Sequence, residues 1–158
     1  MGVVEIKIIR EHLYAAVCKC FPSHWLHTTN LDTSASTTRI VMAWDPGVLT
    51  ITLISASSHM VLGKVEGIAC HREFFISIIY GSNSVSERRG LWSALRHANS
   101  VVRTFAWLQM GDYNVVRKVN ERMVGFDSSA TLEFNNCLHD LEMDDMPARG
   151  FWYTWSNK

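Results

Sequence analysis

No apolar run in this 158-residue chain reaches the ~18 residues that a membrane-spanning helix needs. The first residues carry Glu5, Lys7, Arg10 and Glu11, so no secretory hydrophobic region is present. Met1-Gly2 opens like a myristoylation signal, but position 6 is Ile where Ser or Thr is required. No Cys-x-x-Cys pair occurs, and no His lies at zinc-ligand spacing from Cys18, Cys20, Cys70 or Cys137. Those cysteines read as reduced thiols, mostly buried, in a reducing compartment. The absence of G-x-S-x-G, of a Walker-type loop and of H-E-x-x-H leaves serine hydrolase, P-loop and zincin chemistry unsupported. Neither sign of charge prevails: 15 basic residues meet 15 acidic ones. Bulk electrostatics therefore give no support to strong non-specific nucleic-acid binding. There is no internal repeat and no low-complexity segment. What remains is a soluble intracellular chain, nuclear or cytoplasmic, with no membrane partner and an oligomeric state that the sequence leaves open.

The composition is 47% hydrophobic and 19% charged, enough to build a substantial core in one domain. Val3 to Ile9 is β-branched and nearly continuous, as a buried strand would be. Arg10 to Cys20 fits a short helix with Leu13, Ala16, Val17 and Cys20 on one face, ended by Phe21-Pro22. Asn30 to Thr38 reads as a loop. Arg39 to Trp44 reads as a strand stopped by the turn Asp45-Pro46-Gly47. Val48 to Ile54 alternates and pairs with His59 to Glu66 as an antiparallel hairpin, and Glu73 to Tyr80 is a further central strand. Ser84 with Glu87 forms a capping-box pattern that opens a helix. Its stripe is Leu91, Leu95, Ala98 and Val102. Phe105 to Met110 is a buried strand. Ser128 or Ser129 caps a second helix with Phe134, Cys137, Leu138 and Leu141 inward, and Gly150 to Trp155 is a last strand. Arg88, Arg89, Arg96 and Arg103 read as a solvated helix face, and Asp140, Glu142, Asp144 and Asp145 as a solvated loop. Early consecutive strands with later helical crossovers predict an α/β fold of two mixed sheets with helices outside.

The chemistry-bearing feature is the apolar run 105–110 that ends abruptly in Gly111-Asp112-Tyr113-Asn114. At that spacing the carboxylate and the amide point the same way if the backbone stays extended. Open α/β sheets place their sites just beyond the carboxyl ends of strands. An Asx-type turn, chosen for backbone geometry alone, explains the same residues. The strand at 73–80 also ends in polar residues, Tyr80-Gly81-Ser82-Asn83, and Glu5 lies inside an apolar run. Hard divalent cations take one or two carboxylates and fill the rest of their shell with water and substrate oxygen, which Glu5 and Asp112 would satisfy. Glu5 on a solvated face beside Lys7, Tyr80 as a packing residue and Asn83 as a turn residue are the alternatives.

Five segments stand in a specific order. They are Val3-Val-Glu5-Ile-Lys7, Arg39-Ile-Val-Met-Ala-Trp-Asp-Pro46, Tyr80-Gly-Ser-Asn-Ser84 with Glu87-Arg88-Arg89-x-Leu91-Trp92, Met110-Gly-Asp-Tyr-Asn114, and Gly150-Phe-Trp-Tyr-Thr-Trp-Ser-Asn157. Together they resemble the endonuclease/exonuclease/phosphatase superfamily, the DNase I-like fold. More closely, the chain is similar to the endonuclease domain of plant non-LTR (LINE-type) retrotransposons. The resemblance implies a four-layer sandwich of two mixed β-sheets flanked by helices, and hydrolysis of phosphodiester or phosphomonoester bonds with Mg2+ or Mn2+. It makes Glu5 the metal-binding glutamate. Tyr80 and Asn83 match a Tyr-x-Pro-Asn motif in which Ser82 replaces the proline. Asp112 orients the attacking water beside the metal, Asn114 holds the scissile phosphate, and DNA is the partner. Tyr113 stands where Phe is usual.

The family pattern also begins with a strand ending in Asn, well before the glutamate, and closes on a Ser-Asp-His motif. This sequence has four residues before Glu5 and no Ser-Asp-His. The expectation is a single partial domain over 1–158, an incomplete sandwich lacking the first strand and the Ser-Asp-His portion. Such a chain would be weakly active or inactive as a DNA endonuclease. A non-catalytic interaction module on the same scaffold, or a phosphatase of the same superfamily, are the alternative readings.

Overall fold

The computed structural model describes residues 1–32, 37–121 and 127–146. It divides into two compact units, Met1–Asn114 and Val115–Lys158. The first holds β1 (Gly2–Ile9), α1 (Arg10–Cys20), β2 (Leu26–Thr29), β3 (Thr37–Trp44), β4 (Leu49–Ala56), β5 (Met60–Gly67), β6 (Glu73–Tyr80), α2 (Val85–Val102) and β7 (Trp107–Asp112). Two sheets form, ordered β1-β3-β2 and β4-β5-β6-β7. α1 carries the chain from one edge of the small sheet to the other, and β3 then enters antiparallel between β1 and β2. The larger sheet begins as an antiparallel meander, β4-β5-β6. It ends in a parallel pair, β6 and β7, because α2 supplies the crossover that parallel pairing needs.

β3 shows why its sequence is continuously apolar. One face, Ile40 and Met42, packs with Val61, Ile78 and Tyr80 of the larger sheet. The other face, Val41 and Ala43, packs with Val17 and Phe21 of α1 and the residue following it. A strand buried on both faces has no polar alternation to display. Each of the larger of these side chains contributes roughly 1.5–3 kcal/mol when removed from water. Gly2 lies so close to β6 that a Cβ there would stand 2.6 Å from the Ile78 side chain. Leu91, Leu95, Ala98 and Val102 are all buried on α2, as their spacing predicts, and Trp92 joins them.

Several expectations are revised. β1 is an edge strand with Gly2, Glu5, Lys7 and Ile9 exposed, not a buried one. β7 is half-buried, because among the described residues nothing pairs with its outer edge. β2 was not foreseen: its four residues, Leu-His-Thr-Thr, are too few and too polar to show a period. Cys18, Cys20 and Cys70 are exposed, and only Cys137 is buried. Ser84 stands at the N-cap of α2 but makes no capping bond with its side chain. Glu87 instead accepts from the Ser82 hydroxyl. Arg88 is buried, not part of a solvated face.

In the second unit, α3 (Ser128–Asp140) is capped by Asp127, whose carboxylate accepts from the Ser129 and Ala130 amides. The cap is therefore one residue earlier than the serines suggested. Phe134, Cys137, Leu138 and Leu141 are buried as expected. Arg117 reaches Asp145 at 2.7 Å and Asp144 at 3.7 Å, so part of the acidic cluster serves one cation. The strand expected at Gly150–Trp155 lies outside the described residues.

Candidate active site at the carboxyl ends of β6 and β7

The parallel register sets Tyr80 beside Asp112 at the ends of neighbouring strands. Gly81 prolongs the pairing by one step: its amide donates to the Asp112 carbonyl at 2.6 Å. Its own carbonyl accepts from Asn114 Nδ2, also at 2.6 Å. The approach is close enough that a Cβ on Gly81 would run into the Tyr113 carbonyl. Gly111, at φ 135°, is equally confined, with the Ile79 carbonyl where a Cβ would go.

Asn114 has φ 51°, so the extended backbone expected across Asp112 and Asn114 is not what forms. The chain turns instead, and the Asn114 amide donates to Asp112 Oδ1 at 2.8 Å. This is the Asx turn that the sequence also permitted. The turn and the clustering of site residues are therefore one arrangement. It leaves Asp112 Oδ2 without a protein partner among the described residues, and one N–H of the Asn114 amide beyond the bond to Gly81.

Tyr80 is 4% exposed and packs with Ile78 and Ile40. Its hydroxyl is not simply solvated, because Arg39 Nη1 donates to it at 3.1 Å. The Arg39 guanidinium carbon also stands 5.2 Å from the centre of the Tyr80 ring. On the other side, His59 and Tyr80 pair through their main chains, and His59 Nδ1 lies 3.0 Å from the Tyr80 carbonyl. A carbonyl only accepts, so Nδ1 carries the proton and Nε2 is the other ring nitrogen, facing away from that bond.

Behind this cluster lies Asn30, 1% exposed. Its Oδ1 accepts from the Thr38 hydroxyl at 2.8 Å, the Arg39 amide at 3.0 Å and the Ile40 amide at 3.1 Å. Its Nδ2 donates to the Ser58 carbonyl at 3.3 Å. One buried amide thus holds both the start of β3, where Thr38, Arg39 and Ile40 lie, and the Ser58 carbonyl next to His59.

Glu5 sits in an irregularity of β1. The register runs Val4 with Ile40 and then resumes at Ile8 with Thr38. Glu5, Ile6 and Lys7 therefore face the single residue Arg39. Glu5 adopts φ 63°, a left-handed conformation that a glutamate rarely holds. The pairing links four residues as successive neighbours: Glu5 opposite Arg39, Arg39 on Tyr80, and Tyr80 beside Asp112. Among the described residues no group of three or more His, Cys, Asp or Glu side chains is placed to hold a metal ion. Magnesium does not require one, since it keeps several waters on one or two carboxylates. The all-oxygen donors of Glu5 and Asp112 fit such an ion in kind.

Asn83 is the least engaged of the expected residues. It is exposed in the loop before α2, and the contact that fixes it runs through its main chain. Arg88 Nη1 donates to the carbonyls of Ser82 at 2.7 Å and Asn83 at 3.0 Å. Arg39, His59, Asn30 and Arg88 were not singled out from sequence as site residues. Arg39 left one usable signal, a lone cation at the head of an apolar strand. Asn30 left none, because it stands among turn-forming residues.

No protein family matches the sequence, and no curated protein does. Solved structures do match. The endonuclease domain of TRAS1, a telomere-specific non-LTR retrotransposon, superposes with TM-score 0.54 at 14% identity, covering 75% of this chain and 53% of that one. The human Nocturnin catalytic domain, solved with bound sulfate, superposes with TM-score 0.48 at 10% identity, covering 74% and 51%. The chain thus spans about half the length of each. At such identities the likeness is one of fold: an α/β arrangement of two sheets with helices, of the DNase I-like kind.

Proposed function

We propose that this chain is a metal-dependent phosphodiester hydrolase domain, of the DNA endonuclease type, and of plant LINE-type retrotransposon descent. The observation that carries the reading is the hydrogen-bonded end of β6 and β7, where Tyr80, Asp112 and Asn114 meet around Gly81. Glu5 and Asp112 are the residues that would hold Mg2+ or Mn2+. Held there, such an ion would supply charge neutralisation at the phosphate and at the leaving oxygen. Asp112 Oδ2 orients the attacking water, and the spare amide N–H of Asn114 holds a phosphate oxygen. Tyr80 lends its hydroxyl to the same group, and Asn83 stands at the rim. DNA is the substrate, met inside the cell.

The 158 residues contain no Ser-Asp-His. A general acid/base of that kind is worth ~10²–10⁴-fold in rate. The expected result of a plasmid-nicking assay with Mg2+ is therefore weak nicking, removed by chelation and by Asp112→Ala. Vigorous nicking that needs Asp112 would show the histidine to be dispensable. Nicking that survives Asp112→Ala would end the assignment of the site.

One observation favours a non-catalytic scaffold: Asp112 Oδ1 and Asn114 Nδ2 are both committed to backbone partners. Thermal melting separates the two readings. A scaffold shows no shift with Mg2+ or Mn2+, and Glu5→Gln melts as the parent does with or without metal.

A further inference from the structure

The geometry points to Arg39 as a positioning residue that commits the Tyr80 hydroxyl to donate toward a phosphate oxygen. The inference rests on the phosphodiesterase reading above and deepens it. A guanidinium has only donors. In the 3.1 Å contact between Arg39 Nη1 and Tyr80, the phenol oxygen therefore accepts. Its own proton is left for a third group, and an oxygen that already accepts from a cation is a stronger donor. An anionic oxygen is the acceptor that best answers it. Arg39 is held for this task from three sides. Its amide is anchored on buried Asn30. Its guanidinium lies against the Tyr80 ring. The β1 bulge that carries Glu5 stands across from it in the sheet. Tyr80 is fixed in turn by its packing with Ile40 and Ile78 and by the paired main chain of His59. The hydroxyl therefore has little freedom to seek another partner.

The test uses the whole chain and a fluorescein-labelled duplex DNA oligonucleotide, with binding read by anisotropy in EDTA so that no turnover enters. Arg39→Gln and Tyr80→Phe are each expected to weaken binding roughly tenfold, the worth of one hydrogen bond to a charged group. The double variant is expected to bind no worse than Tyr80→Phe alone, because both substitutions act through the one phenol proton. The slope of affinity against salt is expected to stay unchanged in Arg39→Gln, since the phosphate meets Tyr80 and not the guanidinium. Arg39→Lys, which still offers a donor to the phenol, is expected to recover most of the loss. It also carries the test, in the Tyr80→Phe background, if Arg39→Gln does not melt cooperatively. Additive losses, or a salt slope smaller by about one phosphate contact, would overturn the positioning role and leave the phosphodiesterase reading standing. A parent chain that binds no DNA overturns both.

Discussion

Asn114 and Gly81, 33 residues apart, are joined by a 2.6 Å hydrogen bond from the Asn114 side-chain amide to the Gly81 carbonyl. The bond closes the end of the parallel pair just where the strand geometry stops, because Asn114 has already turned to φ 51°. Asparagine is one of the few residues suited to both demands. Asn114→Ala is expected to cost about 2 kcal/mol, from one lost hydrogen bond and a β-carbon in a left-handed conformation. Asn114→Gly keeps the conformation and loses only the bond, so it should cost about 1 kcal/mol. Urea denaturation of the two variants beside the parent measures the difference. Equal losses would mean that the backbone at position 114 relaxes freely.

Gly81 and Gly111 guard the same junction. An added β-carbon would strike the Tyr113 carbonyl in one case and the Ile79 carbonyl in the other. Backbone cannot step aside without breaking the β6–β7 pairing. Gly81→Ala and Gly111→Ala are each expected to cost about 3 kcal/mol or more. By contrast, Gly90→Ala, in open space on α2, should stabilise by a few tenths to about 1 kcal/mol. Thermal melts of the three variants rank them. A mild Gly111→Ala would contradict the register of Ile79 with Gly111.

Arg88 is 6% exposed and gives its guanidinium to the two carbonyls of the Ser82–Asn83 loop. Arg88→Met should fill the same space and leave both carbonyls without that donor. A loss of about 2–3 kcal/mol is expected. Amide hydrogen exchange should rise first at Ser84, downstream of the carbonyls the arginine holds. Exchange that rises evenly over the whole chain would argue that Arg88 acts on the fold and not on the loop.

Glu5 holds a backbone conformation that carries a stability cost. Its φ of 63° is unfavourable for any residue with a β-carbon. Glu5→Gly should therefore raise the melting point, by the equivalent of about 1 kcal/mol. In the same variant the stabilisation by Mg2+ or Mn2+ should vanish, as it should in Glu5→Gln, which keeps the strain. Metal-dependent stabilisation is worth ~2.7 kcal/mol at a hundredfold excess over the dissociation constant. Differential scanning fluorimetry with and without metal reads both effects. A glycine variant that melts lower than the parent would show that the Glu5 side chain supports the fold itself.

Much of the fold was legible because it follows from local pattern. The α2 stripe, the hairpin of β4 and β5, and β6 as a full strand all declare themselves within a dozen residues. Tyr80 and Asp112 were legible as candidates because each ends an apolar run. The residues that organise them were not. Arg39 meets Tyr80 across 41 positions, and Asn30 gathers three donors from a segment that reads as loop. Arg88 looked like one of several surface cations, since burial of a single arginine leaves no mark on a helical charge pattern. Glu5 in a bulge could not be read either, for a bulge is defined by its partner strand.

The chain by itself determined which segments extend, which coil, and where polar residues interrupt them, because those choices depend on neighbours within a few bonds. Tertiary structure alone decided that Asp112 would stand beside Tyr80 and that Arg39 would lie under its hydroxyl. Strand register and sheet stacking select partners by complementarity of whole surfaces, and no stretch of one strand contains that information.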